Sequence, residues 1–555
     1  MKKIFKYLFG IVVVGSLATG CETTELDIRD NPNALTTEQA DVNLFINSIQ
    51  ISYAELQESF GFTASQPVRL LVMQNRNYLN AFSPEGFNGR WSTVYAGIFQ
   101  DIAAMKTLAE ANEQYRHIGV AQILQADLLT LLVDFFGDVP FSDANRATEG
   151  VFNPALDTGA EAYQAALDLL DEAINNLNRA SAAGPSLDFF YDGDWDKWEK
   201  LANTLKMKIY LQRRLVDGGA VAAFNTIVSS GNYIQSSSDD FQFQYGANEV
   251  QPDTRHPEYA DNYIPQGAGT YMSHYLMNLM GAGSEDKDPR MRYYFYRQTD
   301  ETPGQDGVAP NEETLSCSLE TAPQHYLDGN FPFCGLSEGY WGRDHGDDDG
   351  IPPDGLLRTA WGVYPVAGMF DDDRFDPIGQ GKGGGGAGIV PIVLASWVDL
   401  WKAEIALVGN NPTQAQSALE AGIEKSIRKV ITFGPKDPSA NSDFFSTNAD
   451  AVDFAEFVGE NFANASSTEK WNILAEQLWV ASFGNGRDAY NFYRRTGFPN
   501  NLQPNREPNP GGFVRLFRYP SIFTNNNTNV QQRQNVTSQT FWDNNPSSPG
   551  FPVAN

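Results

Sequence analysis

Apolar residues recur along this chain at three- and four-residue steps, and that spacing limits the fold more than any other feature. Val42, Phe45, Ile46, Ile49, Tyr53, Leu56 and Phe60 share one helical face. Thr37 is placed to cap the start of that helix. The step returns in Trp91, Tyr95, Ile98, Ile102 and Met105. Between Tyr115 and Phe136 the face widens to Val120, Ile123, Leu124, Leu128, Leu131, Leu132 and Phe135. Gly137-Asp138-Val139-Pro140 then stops the helix. Tyr163 to Leu177 and the series Trp198, Leu201, Leu205, Ile209 predict a further pair.

Helix pairs of this length resemble tetratricopeptide-type repeats, in which each pair buries its stripe only by stacking on the next. From about Ser236 to Gly388 the texture changes. Gly, Pro, Asp, Asn and aromatics are dense, and helical spacing is confined to Tyr271–Met280. The glycine run from Gly379 to Gly388 lacks a Gly-Lys-Ser/Thr ending and reads as a flexible loop, not a phosphate cradle. Helices return with Leu394, Trp397, Val398, Trp401, Ile405 and Val408, then over Ala415–Ile431 and from Thr468. After Phe498 the Asn- and Pro-rich tail is expected on the surface. The fold class that follows is mostly α: tetratricopeptide-like helix pairs, a large irregular loop-rich insertion and few short strands.

The N-terminus is read separately. Lys2, Lys3 and Lys6 precede an apolar run from Phe9 through Val14, and Leu17-Ala18-Thr19-Gly20 leads to Cys21. This is the layout of a secretory signal peptide. A cysteine after a small-residue cleavage site resembles a bacterial lipobox, in which the thiol carries lipid such as palmitate. Ala18 stands where that motif usually has Leu, so a plain secreted protein is the other reading. No further run of 18 apolar residues follows. The net charge is −30, or −33 without residues 1–20. Such acidity disfavours nucleic acid and anionic headgroups as ligands.

Cys317 and Cys334 lie 17 residues apart in an exported, loop-rich segment and predict a disulfide, with zinc the weaker alternative. Asp344, Asp347, Asp348, Asp349 and Asp354 crowd around Gly350-Ile351. Asp344, Asp347, Asp349 and Asp354 suit a calcium loop, and equally a solvated acidic turn. No other cofactor is required. Aromatics outside regular helices suit sugar rings, and amides beside them suit hydroxyls. By that rule Arg76, Asn77, Tyr78, Tyr340, Trp341, Trp361 and Tyr364 are candidate ligand contacts, or else core fillers of a loop-rich region. His-Glu-x-x-His and Gly-x-Ser-x-Gly motifs are absent, and no carboxylate pair stands out for catalysis.

Four stretches carry a family resemblance. They are Asn31-Pro32-Asn33; Gln125-Ala126-Asp127-Leu128 through Phe135-Phe136-Gly137-Asp138-Val139-Pro140; Tyr340-Trp341-Gly342-Arg343-Asp344-His345-Gly346 with Gly350 to Gly355; and Arg487-Asp488-Ala489-Tyr490 with Tyr493 to Pro499, then Arg518-Tyr519-Pro520. In this order, behind the lipobox, they resemble the SusD/RagB outer-membrane lipoproteins of Bacteroidota, SusD-like subgroup. The resemblance implies a non-catalytic, lipid-anchored protein of the outer membrane, facing the cell surface. It implies a glycan ligand, or a peptide as in RagB, handed to a TonB-dependent SusC-like transporter. A secreted glycoside hydrolase is the competing class. It divides the chain into a signal peptide (1–20), a lipidated tether (21–36), a helical-pair scaffold (37–235), an irregular ligand-side insertion (236–388), and C-terminal helices and tail (389–555) that pack with the scaffold as one unit.

Overall fold

In the computed structural model of the protein, residues 41–284 and 287–547 are described. Cys21, the signal and tether segments, Asn31-Pro32-Asn33 and Thr37 lie outside them. The longer helices are numbered here in chain order. Helix α1 (Val42–Ser65) begins at Asp41, whose carboxylate accepts from the Asn43 N–H at 2.9 Å. Its face Val42, Ile46, Ile49, Tyr53, Leu56, Phe60 is buried, as the spacing predicts.

Helices α2 (Phe99–Ala111), α3 (Tyr115–Phe136), α4 (Gly159–Asn178), α5 (Trp195–Arg213) and α6 (Ala220–Ser230) follow, each packed on its neighbour. Helix α3 is long and apolar enough to cross a bilayer, yet it is buried nearly all round by protein. A helix apolar on every side must find such a place in a core or in lipid. Gly119 lets α4 approach: a Cβ there would sit 3.0 Å from Leu177 Cγ and 3.1 Å from the Ala173 carbonyl. A second series consists of α7 (Ala395–Val408), α8 (Pro412–Ile431), α9 (Asn448–Asn464) and α10 (Ser467–Ala481). Capping boxes at Thr447–Asp450 and Ser466–Glu469 start α9 and α10.

Helix α11 (Arg487–Thr496) joins the two series by packing on α1 and α10. It buries Ala489, Tyr490, Phe492 and Tyr493 in the core, and buried charge adds to the joining. Arg487 donates to Asp127 at 2.7 Å and to Thr130 at 2.9 Å. Arg495 pairs with Glu404 at 2.6 Å, and Lys208 with Asp488 at 2.6 Å. Arg494, by contrast, makes no pair with Asp488 and donates to the carbonyls of Asp134 and Arg515. Helix geometry explains this: Arg494 is six residues beyond Asp488, about 240° round the helix, and so points into a different neighbour.

Strands are short. Phe241–Gln244 (β1) pairs antiparallel with Ile389–Val393 (β4), Gln244 opposite Ile389; Phe295–Tyr296 (β2) pairs with Ala360–Trp361 (β3). The irregular middle is densely packed, with tyrosine hydroxyls tying down backbone that lacks ladders. Tyr263 donates to the Trp361 carbonyl at 2.7 Å, and Tyr294 to that of Val480 at 3.0 Å. The glycine run is part of this packing and not a free loop: a Cβ on Gly383 would meet the Gly368 carbonyl at 2.2 Å. The tail also departs from expectation. Phe513, Val514, Phe517 and Trp542 are buried, and the Phe517 N–H donates to the Phe135 carbonyl at 2.8 Å. Apolar residues spaced without a period, among Asn and Pro, still drive burial when a partner groove exists.

Candidate functional site

Of the residues singled out as ligand contacts, the five aromatics fall inside the protein, while Arg76 is exposed and Asn77 half-buried. Tyr78, Tyr340, Trp341, Trp361 and Tyr364 expose 2% or less. Tyr78 takes a hydrogen bond from Arg69 and meets His345 Nε2 at 3.1 Å. Trp341 packs on the Cys317–Cys334 disulfide with Leu315. Tyr340 lies under the Arg297 guanidinium, 4.8 Å from its centroid, and Trp361 donates to Glu258 at 3.1 Å. Tyr364 stacks on Tyr294 at 5.4 Å. Without helix ladders, the middle segment fills its core with aromatics, so absence of periodicity is no sign of exposure here. Asn77 caps a short helix through the Leu79 N–H, at 2.9 Å.

The acidic segment is an ion-pair cluster, which corrects the calcium reading. Arg76 pairs with Asp348 and Asp349, and Arg506 with Asp347 at 2.9 Å, with Asp349 and with Glu320 at 2.6 Å. Asp344 accepts from the Cys334 N–H at 2.7 Å and from Gln503 at 3.0 Å. Asp354 binds Arg358 at 2.6 Å and Tyr271 at 2.8 Å. Oxygens that a calcium ion would need already face fixed cations and donors.

The accessible aromatic surface lies elsewhere. The short helix Asn88–Ser92 runs into a π-helical turn, Thr93–Ile98, before α2. There the Phe99 N–H reaches back five residues to the Val94 carbonyl. Such wide turns occur often at functional sites, because they release backbone groups from the helix. The Tyr95 carbonyl is bonded from outside, by Asn145 Nδ2 at 2.7 Å; the same nitrogen meets Gln100 Oε1 at 3.0 Å. Asn145 adopts φ +59°, a left-handed conformation that asparagine tolerates. Tyr95 Oη donates to the Pro140 carbonyl at 2.8 Å. Burial, with Asp157 nearby, raises the Tyr95 phenol well above its ordinary range, so it stays a neutral donor. Together these bonds hold the loop after α3 beside the π turn.

The C-terminal helix Ser521–Asn526 closes the other side. Asn88 Oδ1 accepts from the Ile522 N–H at 2.9 Å, and Asn527 donates to the Pro154 carbonyl at 2.9 Å. The Trp91 ring packs between Tyr95, with centroids 4.6 Å apart and a 39° tilt, and Phe523, at 4.4 Å and 33°, which leaves it 7% exposed. The result is an open cleft of about 530 Å³ bounded by Trp91, Tyr95, Gln100, Asn145, Thr148 and Phe523. A second lobe of about 230 Å³ shares Trp91, Tyr95 and Phe523 and extends to Phe152 and Asn526. Phe152 is 73% exposed at its rim. Chemically, the cleft offers the half-buried Tyr95 ring, the edges of Trp91 and Phe523, each 7% exposed, and Phe152 at the rim, flanked by uncharged amides and a hydroxyl.

Sequence reasoning places Trp91 and Tyr95 on a helix face, which is right, and treats that face as core. Two signals mark it as different. Ala96 and Gly97 interrupt the bulky face with small residues, and Phe152 stands alone in a polar loop. Three carboxylates outside the cleft also hold protons near neutral pH. Burial, then Glu258, raises Glu58 to about 8; burial raises Glu258 to about 7 and Glu476 to about 7. Glu258 is engaged by Thr270, Asn262 and Trp361.

With this geometry in view, comparison with known proteins is informative. Residues 32–321 match a SusD-like family described as starch-binding and associating with the outer membrane. Residues 390–542 match the family of SusD and RagB outer-membrane lipoproteins. Among solved structures, a SusD/RagB family protein from Bacteroides thetaiotaomicron superposes with a TM-score of 0.66 at 19% identity, over 91% of this chain and 100% of that one. A chitin-binding SusD homolog from Flavobacterium johnsoniae gives 0.63 at 18%, over 91% and 99%. A SusD homolog from Bacteroides uniformis gives 0.60 at 17%, over 91% and 99%. No curated protein sequence matches the chain.

Proposed function

The chain belongs to the SusD/RagB family of outer-membrane proteins, and from that premise we propose that it captures oligosaccharide or polysaccharide in the Trp91–Tyr95–Phe523 cleft and passes it to a transporter. The observation that carries this reading is the cleft itself, an open hollow where Tyr95 and the exposed edges of Trp91 and Phe523 lie beside Gln100, Asn145 and Thr148. Sugar rings present C–H faces to aromatics and hydroxyls to amides, so both halves of the lining have a use. The binding is weak by design. Each stack adds on the order of 1 kcal/mol beyond area burial, and association entropy consumes much of the sum. Dissociation constants in the micromolar to millimolar range follow, which suits a protein that must release its ligand.

In this reading Cys21 carries the lipid, the protein sits on the outer face of the outer membrane, and a TonB-dependent SusC-like transporter receives the ligand. The protein binds without turnover. The test is retention on a panel of immobilised glycans, with assay of the same mixtures for new reducing ends. Retention without cleavage supports the proposal; new reducing ends would assign the chain to the hydrolases. A Cys21→Ala variant that leaves the detergent phase, when the parent partitions into it, tests the anchor.

A further inference from the structure

Resting on the cleft as the ligand site, we propose that it selects uncharged glycan chains long enough to occupy both lobes, and rejects uronate or sulfate polymers. The first ground is charge. Every side chain lining either lobe is uncharged. On the loop wall, Arg146 pairs with Asp143 at 3.2 Å and Glu149 at 2.6 Å. That trio carries one more negative than positive charge, so its net field opposes a carboxylate or sulfate placed beside it. The chain as a whole bears −30, and its field repels a polyanion before contact. A neutral sugar meets neither penalty.

The second ground is length. The lobes are continuous through Trp91, Tyr95 and Phe523, with Phe152 at the far rim. A single sugar covers one part of this surface. A chain can lie on the central stack and reach Phe152, adding contacts without paying again for association.

The experiment is isothermal titration of the full mature chain with oligomer ladders at low and high salt. The neutral ladders are α-glucan, β-glucan, xylan and acetylated chitin fragments; the anionic one is oligogalacturonate. Phe152→Ala and Gln100→Ala are compared with the parent, because both side chains are exposed and their loss leaves the core intact. The expected result is binding of at least one neutral ladder, tightening tenfold or more from monomer to longer oligomer and unmoved by salt. Phe152→Ala weakens it severalfold, and oligogalacturonate binds at least tenfold less well. Oligogalacturonate binding as tightly as the neutral oligomers, with the same Phe152→Ala loss, overturns the selectivity and leaves the cleft reading intact. Neutral binding untouched by both variants, or no binding by any ladder, overturns the cleft reading and the selectivity with it.

Discussion

Arg487 and Asp127, 360 residues apart in the chain, meet at 2.7 Å in the core. Both are buried. Asp127 also accepts from Tyr53 and Gln57, each at 2.7 Å. Burial alone would raise the Asp127 carboxyl, but Arg487 and Lys208 hold it below the usual range. The contact therefore clamps α11 to α3 and α1, drawing the C-terminal helices onto the N-terminal series.

Removing Arg487 takes from the buried Asp127 and Asp134 carboxylates the cation they share, leaving Lys208 near Asp127. Breaking such a pair from one side costs about 3–5 kcal/mol. Arg487→Met is expected to lose that much in denaturant unfolding, if it accumulates at all. A loss under about 1 kcal/mol would mean the cluster is not what joins the two series.

Trp341 belongs to the small apolar cluster around Cys317–Cys334 and is 1% exposed. Trp341→Ala should cost about 3–5 kcal/mol, as large aromatic deletions in cores do. Glycan affinity measured on the folded fraction should stay within twofold of the parent. Lost affinity at unchanged stability would return Trp341 to the ligand site.

Glu58 gives the stability a pH dependence whose sign is fixed. Its folded value is about 8, against 4.5 for an unperturbed glutamate. Above pH 4.5 the folded state holds a proton that the unfolded chain has released. The favourable contribution is complete below that pH and is lost as pH rises through 8. Glu258 and Asp261 oppose its ionisation, and Arg90 partly offsets them. Glu58→Gln should raise the melting temperature at pH 9 by roughly 1–3 °C and change it little at pH 5. A variant equally shifted at both pH values would contradict this.

The helical half of the fold was legible because helix burial follows a period. The faces of α1 and α3 are where three- and four-residue spacing puts them. The disulfide was readable from the spacing of Cys317 and Cys334 in a loop-rich segment. The binding surface was not. Tyr340 and Trp361 look like platforms because nothing periodic surrounds them, yet arginine stacking and tyrosine hydrogen bonds bury that segment. Trp91 reads as core because it is periodic, and it is buried; what the period does not show is that its edge borders a cleft closed by Phe523, far along the chain. Pairings across more than 400 residues leave no local mark.

The central claim is that ligand lies against the π turn and its facing loop. Hydrogen–deuterium exchange of the whole chain, with and without a saturating neutral oligosaccharide that it retains, tests this most directly. Slower exchange is predicted in residues 91–100, 140–154 and 521–527, with residues 74–78 and 340–364 unchanged. Protection confined to 74–78 and 340–364, with the π turn unaffected, would contradict the account.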